Sequence, residues 1–169
     1  MSTDPAFETQ PSMLLRRATG TADLAAATTL LRTAGWPAAI ARRATVLVLY
    51  DPADDDPAGA AVVLVGDGVA GVGGVGGVGG VGGVGGVGGV GGVGDGILAG
   101  WAVDTATGPG AETHLLQAVA DLLRGAGVRR VRAAIPRDGA ERLPALVAAG
   151  FRPVPPVSTH GPWVVDQEL

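Results

Sequence analysis

Residues 97–136 read ILAGWAVDTATGPGAETHLLQAVADLLRGAGVRRVRAAIP, and the order of patterns within them decides the fold class. ILAGWAV is an apolar run of strand length. VRRVRAAIP alternates, so that Val131, Ala133 and Ile135 share one face. Between the two, DTATGPGAE is a turn-forming stretch of glycine, proline and small polar residues. From about Glu112, the residues Leu115, Leu116, Val119, Leu122 and Leu123 recur at helical spacing, and Gly125 and Gly127 end the run. Strand, tight loop, helix and strand in this order predict a crossover inside a mixed α/β domain.

The flanks extend the pattern. On the C-terminal side, RDGAERLPALVAAG reads as helix, with Asp138 and Glu141 spaced like a capping box. Pro144 lies too deep for one straight helix from that cap, so the helix kinks or restarts near Leu143, and Gly150 closes it. FRPVPP and PWVVDQEL give two final short strands. On the N-terminal side, MLLRRAT reads as a strand. A helix follows, capped by Thr21 or Asp23 and ending at Gly35, with Leu24, Ala27, Thr28, Leu30, Leu31 and Ala34 on its apolar side. PAAIARRA adds a short helix opened by Pro37. TVLVLY and AAVVLV are β-branched runs joined by the turn DPADDDPAG, a hairpin whose acidic tip reads as a hydrated loop.

Composition removes several function classes. The chain of 169 residues has no cysteine, so it has neither a disulfide framework nor a thiolate metal site. Its histidines, His114 and His160, are too few and too scattered for a zinc cluster, and no metal is expected. A net charge of −4 argues against nucleic-acid binding by bulk charge. All 12 basic residues are arginine, and asparagine is also absent, a codon bias expected of a GC-rich bacterium. Residues 1–12 read as an acidic flexible tail without signal-peptide features, and no apolar run approaches a membrane span. The expectation is a cytoplasmic protein with no membrane partner.

TGPGAETHLL, residues 107–116, is the chemically suggestive stretch. The free N–H groups and dipole of a helix N-terminus favour an anion such as phosphate, and Gly108 and Gly110 allow close approach to the backbone. From Ile97 through Gly150-Phe151, the run of strand, Gly-rich loop, helix, strand and helix resembles the GCN5-related N-acetyltransferase (GNAT) family. The element order over residues 13–169, apart from one tract, fits as well. The resemblance implies a GNAT-like acyl-CoA N-acyltransferase fold, a mixed central sheet flanked by helices. It implies acetyl-CoA as cofactor, with the pantetheine arm paired to the backbone of a bulged strand at Trp101, Ala102 and Val103. The pyrophosphate then lies on the loop and helix start at Thr107, Gly108, Gly110, Ala111, Glu112 and Thr113. It implies acetyl transfer to an unidentified primary amine, on a small molecule or a peptide, mainly by positioning. The alternative is a catalytically inactive GNAT-like binding or regulatory module.

The chain departs from the family at several positions. Thr107 stands where a basic or amide residue is usual, Pro109 removes one amide donor, and Glu112 replaces a small residue. The family's tyrosine acid aligns with Leu146 and its asparagine with Gly139, so no catalytic residue is assigned. Asp104 reads as a turn or cap residue, His160 as a surface residue, Tyr50 as a core-edge residue and Trp101 as packing.

One tract, residues 71–94, repeats Val-Gly-Gly without interruption. It falls between the third and fourth expected strands and reads as a low-complexity insertion at a hairpin tip, where loop lengthening costs little. A polyglycine-II-like arm and elastin-like self-association are the other readings. Collagen is excluded because the tract contains no proline.

Overall fold

The computed structural model describes residues 13–37, 45–51, 56–65, 94–108, 110–155 and 161–169. The expected N-terminal tail, most of the short helix after Pro37, the acidic hairpin tip, nearly all of the Val-Gly-Gly tract, Pro109 and His160 lie outside the described residues.

Among the described residues, seven strands and three α-helices follow one another as β1 (Leu14–Arg17), α1 (Thr21–Thr33), β2 (Thr45–Asp51), β3 (Asp56–Val65), β4 (Asp95–Val103), α2 (Ala111–Gly125), β5 (Arg130–Ile135), α3 (Leu143–Ala148), β6 (Arg152–Pro153) and β7 (Trp163–Glu168). They build one sheet in the order β1-β2-β3-β4-β5-β7-β6. Every neighbouring pair is antiparallel except β4 and β5, which are parallel because α2 carries the chain back between them. The crossover read from residues 97–136 is therefore the centre of the sheet.

Val46 to Tyr50 of β2 and Gly59 to Val63 of β3 are buried without interruption, so both faces of the central strands are covered. Two contacts assign the covers. A Cβ on Gly59 would meet Leu115 of α2, and a Cβ on Gly100 would meet the Trp36 ring that follows α1. Gly100 pairs with Val62, whose side chain lies on the opposite face from that of Gly59. Thus α2 covers one face, and α1 with Trp36 covers the other. Leu31, Leu47, Leu49, Leu98, Trp101, Leu115, Leu116, Leu123, Ile135 and Leu146 are among the large side chains sealed in this core.

Three local readings are corrected. Leu122 belongs to the helical pattern but is 39 % exposed, because the sheet covers a narrower stripe of α2 than the leucines span. The capping box at Asp138 and Glu141 does not form. Residues Arg137–Arg142 make a 3-10 segment, Gly139 leaves helical geometry within it, and no side chain among the described residues caps it. Helix α3 starts at Leu143, with Pro144 in the first turn, where its missing N–H costs nothing. Helix α1 is preceded by Gly20 as N-cap, with no side-chain cap among the described residues. Asp23 sits inside the first turn and takes a hydrogen bond from the Tyr50 hydroxyl at 2.6 Å.

Candidate functional site

The site begins with a defect in β4. Its register against β3 runs Ala61 to Trp101 and Val62 to Gly100, then Val63 to Leu98, so Ala99 is an extra, bulged residue. A bulge bends its strand and raises the local twist. The consequence appears on the other edge of β4. Parallel pairing with β5 runs from Asp95–Arg130 to Leu98–Ala133 and stops there, although β4 continues to Val103 and β5 to Ile135. Beyond the bulge the two central strands part.

The main-chain groups facing that slot follow from the ladder. The Asp104 N–H donates to Ala58 O at 2.8 Å, toward β3. Alternate residues point the opposite way, so the N–H and C=O of Trp101 and Val103 face the slot.

The loop after β4 lies at the same end of the sheet. Asp104 accepts from the Ala106 N–H at 2.9 Å through Oδ1, and a single 3-10 turn follows over Thr105–Thr107. Asp104 is thus the turn residue expected of it. The Thr107 hydroxyl donates to Asp104 O at 2.7 Å, which commits that side chain to the turn. Gly108 and Gly110 have φ of 87° and 91°, a region that favours glycine, and a Cβ on either would meet nothing within 4 Å. Among the described residues, the space beside these two glycines is therefore open. Helix α2 starts directly from Gly110 with no side-chain cap among the described residues. The His114 N–H bonds Gly110 O at 2.9 Å, while those of Ala111, Glu112 and Thr113 precede the first intrahelical acceptor.

Glu112 resolves a conflict in the sequence. A carboxylate at this helix start repels any anion bound there unless it turns away. Its Oε1 accepts the Trp101 indole N–H at 2.6 Å, and Trp101 is 1 % exposed. The carboxylate is turned onto the buried indole. Trp101 packs as expected and also carries the partner that aims Glu112.

Sequence reasoning missed Trp36 and Arg142. The Trp36 indole N–H donates to Trp101 O at 2.6 Å, a carbonyl that faces the slot. The two indole centroids are 5.3 Å apart, although the side chains come from opposite faces of the sheet, so they meet where β4 has left β5. The Arg142 guanidinium lies 4.5 Å from the Trp36 ring centroid, and its Nη2 donates to Ala34 O. Tyr50, the only tyrosine, is bound to Asp23 on β2's side of the sheet and is separated from β4 by β3. Burial, then the bond to Asp23, raises its pKa above 10.0. The bond from Tyr50 is the main cause that lowers the Asp23 pKa below 3.8. His114 is exposed on α2.

The same architecture occurs in solved acetyltransferase structures. A Bacillus subtilis acetyltransferase in complex with CoA matches with TM-score 0.63 at 11 % identity, over 94 % of this chain and 99 % of that one. A GNAT-family protein from Desulfovibrio desulfuricans matches with TM-score 0.65 at 16 % identity, over 93 % and 99 %. The aminoglycoside acetyltransferase AAC(6')-Ib, in complex with ribostamycin and coenzyme A, matches with TM-score 0.59 at 17 % identity, over 93 % of each chain. The chain has the GNAT acyl-CoA N-acyltransferase fold. No family profile and no curated protein matches the sequence.

Proposed function

We propose that the chain is an N-acetyltransferase that takes acetyl-CoA as donor and a primary amine as acceptor. One observation carries the reading: the bulge at Ala99 opens β4 from β5 beside a helix that starts from two positive-φ glycines. An extended arm with amide groups fits a slot lined by main chain that β5 does not pair, and a diphosphate fits the helix start next to it. That CoA occurs with the Bacillus subtilis and AAC(6')-Ib structures supports the same assignment.

The residues proposed to hold the cofactor are Trp101 and Val103 along β4, with Ala102 between them turned to its partner Ala60 on β3, and Thr107, Gly108, Gly110, Ala111, Glu112 and Thr113 at the loop and helix start. The donors proposed there are the backbone N–H groups of Ala111, Glu112 and Thr113, because the Thr107 N–H already donates to Asp104 O at 3.0 Å. The Thr107 and Glu112 side chains are bound elsewhere, which explains how Thr can stand in place of a basic residue and how Glu is tolerated. The cofactor supplies an activated thioester. The slot-facing N–H groups of Trp101 and Val103 are the main-chain donors available to polarise its carbonyl as charge develops on oxygen. Positioning carries the remaining catalysis. The acceptor amine reacts in its neutral form, so the rate rises with pH toward the amine's own pKa.

A thiol-release assay tests the activity. Acetyl-CoA is mixed with the protein and a panel of primary amines, and free CoA is read with a thiol reagent. The chain has no cysteine and adds no background. Amine-dependent release is expected. Absence of release across the panel, together with retained CoA binding, favours the binding-module reading.

A further inference from the structure

One main-chain acceptor of the slot between β4 and β5 is already taken. Trp36 approaches from the α1 face, and its N–H takes the Trp101 carbonyl that points into the slot. Gly100 makes this possible: a Cβ there would lie 3.1 Å from the Trp36 ring. Arg142, in the 3-10 segment that follows β5, lies over the same ring at 4.5 Å from its centroid and bonds Ala34 O. The ring is therefore held by the main chain of β4 and by the Arg142 cation. Trp36 is 9 % exposed.

We propose that Trp36 is a gate in the cofactor slot, closed on the Trp101 carbonyl and clamped by Arg142, and that CoA binding displaces it. The proposal rests on the acyl-CoA reading above. An amide-bearing arm entering the slot needs an acceptor at the position that Trp36 holds and space where its ring lies. Binding then exchanges one hydrogen bond to the Trp101 carbonyl for another. The indole leaves the slot, and its stacking on Arg142 is lost. The affinity for CoA is accordingly lower than the open slot alone provides.

The test compares wild type with Trp36→Phe, which keeps an aromatic ring and removes the N–H. CoA is titrated into each by calorimetry. The variant is expected to bind roughly three- to ten-fold more tightly, the worth of one competing hydrogen bond. A second readout uses the wild type alone: saturating CoA is expected to increase acrylamide quenching of indole fluorescence as Trp36 is released. That measurement carries the test if the variant does not fold. Equal or weaker binding by the variant, or quenching unchanged by bound CoA, overturns the gate and leaves the cofactor site standing. No CoA binding by either chain overturns the cofactor reading and the gate with it.

Discussion

The indole N–H of Trp101 and the Glu112 carboxylate meet across 2.6 Å, and this bond joins β4 to the first turn of α2. It fixes the strand that lines the slot relative to the helix whose N-terminus is proposed to hold the diphosphate. Glu112→Ala leaves a buried indole donor unpaired and is expected to cost about 1–3 kcal/mol. Glu112→Gln keeps an acceptor in place and is expected to lose less. Urea unfolding midpoints of the three proteins check the order wild type, Gln, Ala.

The Tyr50–Asp23 bond gives a pH signature. Asp23 has a lowered pKa in the folded chain, so its stabilisation is present above the unfolded value and is lost as pH falls through the folded one. Tyr50 has a raised pKa, so its contribution is present below the unfolded value and is lost as pH rises through the folded one. Tyr50→Phe is therefore expected to be less stable than wild type by a constant margin from about pH 5 to pH 9. The margin narrows below about pH 4 and above about pH 10. Melting temperatures of both proteins across that range are the measurement. A margin that is flat at both extremes contradicts the assignment.

Gly150 ends α3 with φ of 103°, and a Cβ there would lie 2.8 Å from Gln167 Nε2 on β7. Gly150→Ala combines backbone strain with displacement of a side chain that donates to Ala149 O. The expected loss is roughly 1–3 kcal/mol, read from chemical denaturation. Gly20→Ala, with nothing within 4 Å of its Cβ, serves as a control and is expected to lose less.

The fold was legible because its strong signals are local. Uninterrupted β-branched runs marked β2 and β3, and leucine spacing marked α2. The turn residues between ILAGWAV and VRRVRAAIP marked the crossover. The capping-box reading of Asp138 and Glu141 failed because spacing alone does not show that Gly139 departs from helix. The loop glycines were legible because positive φ is a property of residue type. Trp36 and Arg142 were not, because they meet Trp101 from distant parts of the chain. Only tertiary structure shows that an indole following α1 reaches a carbonyl of β4.

The Val-Gly-Gly tract yields its own test. Val65 pairs with Gly96, so residues 66–93 connect strands that are already neighbours. Gly94, the last residue of the tract, bonds through its carbonyl to the Arg129 N–H at 2.7 Å and belongs to the fold. We therefore propose that the insertion ends at Val93. Deleting Gly71–Val93 is expected to leave melting temperature and CoA affinity no lower than in the full chain. A chain that fails to fold on deletion, by circular dichroism and size exclusion, contradicts this reading.

The central claim is that CoA binds at the slot and loop. A thermal shift series with CoA, acetyl-CoA and ADP tests it most directly. A ligand at 100 times its Kd stabilises the folded state by about 2.7 kcal/mol, which corresponds to roughly 5–10 °C for a domain of this size. CoA and acetyl-CoA are expected to raise the melting temperature in a concentration-dependent way, with a smaller rise for ADP. No rise with CoA or acetyl-CoA at millimolar concentration contradicts the account.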